Sequence, residues 1–116
     1  MEKRQFTRST AWPGTEAVLT YTDRTSNRSR QLSTLRGAVE NLGSNGMFLK
    51  TKEFVPIDQQ VDITIQFQPK NPDGPSVKAN GKIIRATDEG IGIQFTAIDL
   101  ARLGECIMAM LNNQDN

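Results

Sequence analysis

Two short segments and one strand residue carry the side chains best suited to holding a small anion. Lys3-Arg4-Gln5-Phe6-Thr7-Arg8 sets two guanidinium groups four residues apart, with a lysine beside the first. Guanidinium forks bind phosphate oxygens and the O6/N7 edge of a purine in bidentate pairs, and their flat faces stack on purine rings. Asn41-Leu42-Gly43-Ser44-Asn45-Gly46 leaves one strand-like run, turns at Gly43 to Gly46 and enters another, and its Asn-Gly end accepts positive φ cheaply. Arg85 stands near the end of a later run. Taken alone, two arginines in eight residues read as a solvated basic tail, and the Asn-Gly segment reads as a hairpin. Arg85 alone reads equally as an exposed strand arginine. Order along the chain is what gives these residues meaning.

Catalytic chemistry has little to work with. Histidine is absent, so neither a Ser-His or Cys-His dyad nor a His metal site can be built. Cys106 falls in an apolar helical run, where a packed inert thiol is expected. No Asp or Glu couple sits in a recognisable site. The expectation is a binding protein, not an enzyme, with no cofactor and no metal.

Charge points the same way. Fourteen basic residues stand against 13 acidic ones, a formal net charge of +1. A DNA- or RNA-coating protein normally carries a clear basic excess. Binding of single strands needs aromatic stacking platforms; this chain has seven aromatics, and Phe67 and Phe95 fall on the apolar side of strand patterns. Basic residues do gather in the first third, at Lys3, Arg4, Arg8, Arg24, Arg28, Arg30 and Arg36, against Glu2, Glu16 and Asp23. A small anionic ligand held at this end fits that asymmetry. The lone cysteine cannot form an internal disulfide, no apolar run reaches membrane-span length, and Met1-Glu-Lys-Arg is not followed by an apolar stretch. A cytoplasmic protein without membrane insertion is expected.

The elements that must position these groups follow from periodicity. The length of 116 residues suits one domain. Residues 1–15 read as a tail with a turn at Trp12-Pro13-Gly14, residues 16–98 as short strands that form a sandwich or a closed β-barrel, and residues 99–112 as a helix. Ala17, Leu19 and Tyr21 alternate with Val18, Thr20 and Thr22, which predicts a strand. Asp23 to Thr34 is rich in Thr, Ser, Asn and Arg and reads as a long loop. Strands are predicted over Leu35–Leu42 and Met47–Lys50. The sharpest alternation is Gln60 to Phe67, with Val61, Ile63, Ile65 and Phe67 on one face. Pro69, Pro72 and Pro75 mark a loop, and Val77–Ala86 and Ile91–Phe95 complete about six strands. Asp99 then caps a helix whose Leu100, Leu103, Ile107, Met110 and Leu111 share one face and plug a barrel end.

In this order the segments resemble the PilZ family of bacterial receptor domains. That family pairs an R-x-x-x-R tail with a [D/N]-x-[S/A]-x-x-G turn further along, then a G-x-V-like strand and a G-(I/M)-G-(V/I)-x-F strand ahead of a helix. Here these appear as Arg4 to Arg8, Asn41 to Gly46, Gly81-Lys82-Ile83-Ile84-Arg85 and Gly90-Ile91-Gly92-Ile93-Gln94-Phe95. The resemblance spans roughly residues 3–111. It implies an all-β fold, a six-stranded antiparallel barrel with a C-terminal helix packed against it.

It also implies a cyclic di-GMP receptor that acts as an adaptor on a downstream protein partner. By that analogy Arg4 and Arg8 grip phosphates and guanine faces, with charge added by Lys3. Asn41 meets a guanine Watson–Crick edge, Gly46 lets the backbone approach, and Arg85 stacks on a base. Two positions depart from the most favourable pattern. The Asn41 amide has one acceptor oxygen where a carboxylate would accept both guanine N–H donors. Gly43 stands at the small Ser/Ala position, which leaves Ser44 as the nearest hydroxyl. Ordering eight tail residues costs roughly 8–16 kcal/mol, and a micromolar complex needs about 8 kcal/mol net. Two arginine contacts at ~1–3 kcal/mol each cannot supply both. The tail is therefore expected to be partly ordered beforehand or to bury further surface as it folds over the ligand. Ligand-induced ordering of residues 1–10 is the expected signal. The rival expectation is a PilZ-like adaptor that has lost nucleotide binding.

Overall fold

The run from Gln60 to Gln66 shows why this chain curls into a barrel. Val61, Ile63 and Ile65 are buried, while Gln60 and Asp62 are exposed and Thr64 and Gln66 half-buried, so the strand has one wet and one dry face. Neighbouring strands repeat that pattern, and closing the sheet on itself covers the dry faces against one another. A computed structural model describes residues 11–23 and 31–114. In chain order it contains strands β1 (Ala11–Asp23), β2 (Gln31–Glu40), β3 (Gly46–Lys50), β4 (Gln60–Gln66), β5 (Ser76–Ala86) and β6 (Gly90–Ile98), then helix α1 (Leu100–Gln114). Every pairing is antiparallel, and the strands form a closed barrel ordered β1-β2-β3-β6-β5-β4. The fold is the six-stranded barrel with a C-terminal helix that the sequence implies.

The core is the inside of this barrel. Leu19, Val39, Leu49, Ile63, Ile65, Ile83, Ile91 and Ile93 are all at most 2% exposed. Burying each such side chain contributes about 1.5–3 kcal/mol. The two ends are closed differently. At one end Val55, from the β3–β4 connection, is fully buried in the core. That connection is tied down by the Asp58 N–H donating to the Ile83 carbonyl at 2.7 Å. At the other end α1 contributes Leu103 and Cys106, with Ile107 and Met110 packed partly against the core. Asp99 caps the helix as expected, its Oδ1 accepting from the Arg102 N–H at 3.0 Å. Among the described residues no helix is long and apolar enough to cross a membrane.

Four local expectations need correction. The tail assigned to residues 1–15 ends earlier, because β1 already begins at Ala11. A register shift between Ala11 and Glu16, with Gly14 at φ 79°, absorbs the turn signal without ending the strand. The polar stretch assigned to a loop through Thr34 is strand from Gln31 onward, paired from Asp23↔Gln31 to Glu16↔Ala38. Thr34 there is exposed, where a barrel strand tolerates a polar side chain, and Ser33 is half-buried near the strand's start. At its far end β2 stops at Glu40, two residues short of Leu42. Finally, Leu100 is 54% exposed. The helix starts at that residue, so the buried stripe is Leu103, Cys106, Ile107 and Met110, spaced i, i+3, i+4 and i+7.

Candidate ligand-binding site

Where β2 ends, Asn41 adopts φ 53°, a left-handed conformation that asparagine tolerates better than most residues. Leu42 then packs against the core, and the chain turns through Gly43 to Gly46. The positive φ expected at the Asn-Gly pair is thus found at Asn41 instead. The turn is pinned from both sides: the Gly43 N–H donates to the Gly46 carbonyl at 3.0 Å, and the Phe95 N–H donates to the Asn45 carbonyl at 2.8 Å. Asn41, Gly43, Ser44 and Asn45 remain exposed. Gly46 is held to glycine by β6, because a Cβ there would run into the Ile93 carbonyl. Gly43 is different, with nothing within 4 Å of an added Cβ.

Along β3, Met47 and Leu49 point into the core and Phe48 points out. Phe48 pairs with Gly92 on β6, whose missing side chain leaves a flat floor. Arg85 reaches this floor through an irregularity in β5. Ile83 pairs with Ile93 and Arg85 with Gly92, so Ile84 is an extra residue in the ladder. Plain alternation after the inward-facing Ile83 would drive Arg85 into the core; the bulge leaves both Ile84 and Arg85 on the exposed face. The Arg85 guanidinium carbon lies 5.5 Å from the centroid of the Phe48 ring, within cation–π range.

These pieces enclose one open cleft of about 560 Å³. It is lined by Asn41, Gly43, Ser44, Asn45, Gly46, Met47, Phe48, Ile84, Arg85, Gly92, Ile93 and Gln94. The sequence-predicted residues Asn41, Gly43, Ser44, Gly46 and Arg85 therefore share a single wall, although Arg85 is far from the others in sequence. Arg85 is the one charged side chain among the described lining residues. Its other side faces a neighbouring cleft of about 420 Å³ lined by Phe48, Arg85, Thr87, Asp88 and Glu89. A dianion is favoured on the first side and repelled on the second.

Lys3, Arg4 and Arg8 lie outside the described residues, as do Arg24, Arg28 and Arg30. Arg36, from the same basic third, is committed elsewhere, donating to Glu16 at 3.0 Å and to Gln66 at 3.4 Å. Sequence reasoning missed Asn45, Met47, Phe48, Ile84, Gly92, Ile93 and Gln94 as lining residues. Phe48 was recoverable, since an aromatic flanked by two core residues on a strand must face outward. The bulge left no local signal. Phe67 is buried and Phe95 half-buried against the core, so neither offers a stacking platform. Among the described residues no cluster of acidic or thiol side chains is arranged to hold a metal. Comparison with known proteins gives one family match: the sequence model of the PilZ domain aligns with residues 2–111. No curated protein and no solved structure matches the chain.

Proposed function

The chain belongs to the PilZ domain family, and from that premise we propose that it is a cyclic di-GMP receptor working as an adaptor, by binding and without chemistry. The observation that carries the reading is the convergence of Asn41, Gly43, Ser44, Gly46 and Arg85 on one cleft of about 560 Å³. Cyclic di-GMP is a compact dianion with two guanines and two phosphates. In this reading the exposed Asn41 amide accepts from the guanine N1–H or N2–H. Ser44 supplies the hydroxyl that Gly43 lacks, and the Arg85 guanidinium stacks on a base.

The second half of the proposed site is the Arg4/Arg8 pair, with Lys3 adding charge. Ala11 pairs with Glu40, next to Asn41, so the chain enters the barrel beside the cleft. Extended chain spans at most about 3.3–3.6 Å per residue. Arg8 is therefore within about 10 Å of Ala11 and Arg4 within about 25 Å, which permits both to reach a ligand in the cleft. Closure of residues 1–10 over the nucleotide is the proposed output, read by a downstream protein partner in the cytoplasm.

Titration calorimetry of cyclic di-GMP into the full chain and into Arg8→Ala tests this. Heat with the wild type and a weakened variant is expected; equal binding by both removes the clamp. Amide NMR of residues 1–10 tests the output, and spectra unchanged by ligand would remove it. One observation favours a second reading, an adaptor without nucleotide: Gly43 presents no hydroxyl to the cleft. Absence of heat with the wild type would establish that reading over the first.

A further inference from the structure

Arg85 is the charged group of the cleft, yet it stands on an exposed wall with acids on its far side. An unrestrained arginine side chain samples many rotamers, and ligand binding must then remove that freedom. Here three features restrict it in advance. The bulge at Ile84 sends Arg85 outward. The side chain lies against β6 at Gly92, with the Arg85 Cβ and Nε 3.4 and 3.6 Å from where a Cβ of that residue would stand, an ordinary packing distance. The Phe48 ring sits beneath the guanidinium at 5.5 Å. Phe48 is only 8% exposed and lies outside the core cluster, so its ring serves neither the barrel interior nor open solvent.

We propose that Phe48 is the positioning residue for Arg85, holding the guanidinium over Gly92 so that its free face points into the nucleotide cleft. The inference rests on the cyclic di-GMP reading of that cleft. With the ring in place, one guanidinium face is covered and the other is presented to a base. Without it, Asp88 and Glu89 on the neighbouring cleft compete for the charge. Phe48 thus acts on the ligand through Arg85, with little surface left to touch the ligand directly.

A double-mutant cycle separates this from direct contact. Calorimetry with cyclic di-GMP is run on the wild type, Phe48→Leu, Arg85→Ala and the double variant, with Phe48→Tyr as the conservative control. Phe48→Leu is expected to weaken binding about three- to fivefold in the wild-type background and to have no effect once Arg85 is alanine. Phe48→Tyr is expected to bind like the wild type. Equal loss in both backgrounds, or no loss in either, overturns the proposal while leaving the cleft assignment standing. No heat with the wild type overturns the cleft assignment itself. Should Phe48→Leu fail to fold, wild-type NMR still decides: the Arg85 δ-protons are expected upfield under the ring current, and ordinary exposed-arginine shifts overturn the proposal.

Discussion

Ala11 sits opposite Glu40 in the β1–β2 ladder, one residue before the left-handed Asn41. This pairing ties the point where the chain enters the barrel to the rim of the cleft. In the proposed reading this brings the chain end that carries Arg4 and Arg8 in sequence to the side of the barrel where the ligand would bind. Removal of residues 1–10, or Arg4→Ala or Arg8→Ala alone, is therefore expected to weaken cyclic di-GMP binding at least about fivefold. The barrel itself is complete without them. Its thermal midpoint is expected to stay within about 3 °C, checked by circular dichroism beside calorimetry.

Gly43 and Gly46 lie three residues apart and predict opposite outcomes. A Cβ at Gly46 meets the Ile93 carbonyl across the β3–β6 ladder, so Gly46→Ala is expected to destabilise the fold by about 1–3 kcal/mol. Gly43 has open space and no positive φ. Gly43→Ser should leave stability within about 0.5 kcal/mol and tighten nucleotide binding through the added hydroxyl. Urea unfolding and calorimetry on the same two proteins test the pair.

Asn41→Asp tests the proposed guanine contact. Aspartate tolerates the left-handed backbone as asparagine does, and its carboxylate accepts from both guanine N–H donors. Binding is expected to tighten by about threefold or more, with the thermal midpoint little changed. Asn41→Ala loses the acceptor and strains the backbone, so it should both weaken binding and lower the midpoint. Calorimetry and thermal melts of the two variants check this, and weaker binding by the aspartate would place Asn41 away from guanine.

Burial at the barrel end pushes the Cys106 thiol above its ordinary value; Arg102 nearby opposes the shift and Glu105 adds to it. The folded chain therefore keeps a proton that the unfolded chain releases above about pH 8.5. Stability attributable to this group is intact below that pH and falls as pH rises toward the raised folded value. Alkylation of Cys106 is expected to be slow in the native protein at pH 8 and fast in denaturant. The loss of thermal midpoint between pH 8 and pH 10 should narrow in Cys106→Ala.

Much of the fold was already legible in the sequence. Two-residue alternation over Val61, Ile63 and Ile65 and over the other strands called for a sandwich or a closed barrel, and the family resemblance chose the barrel. The Asp99 cap and the apolar spacing after it called for a helix. Both signals are local, because side-chain direction in a strand and capping in a helix are decided within a few residues. The sequence also placed a turn at Gly43 to Gly46, although it carried the preceding strand through Leu42, and it singled out Arg85. Local reasoning erred where neighbours in space intervene: β1 and β2 extend their ladder into polar residues, and Leu100 faces out because the barrel end receives Leu103 and Cys106 instead.

Tertiary structure alone decided that Arg85 shares a wall with Asn41. That proximity needs β3 beside β6 and β6 beside β5, an order set by how the dry faces close on each other. It also needs the extra residue at Ile84, without which alternation would have turned Arg85 toward the core. The bulge is a matter of hydrogen-bond register between β5 and β6, and the side-chain pattern along β5 alone does not record it. The composition supplied the arginine, the glycine floor and the phenylalanine; the register of β5 on β6 brought them together.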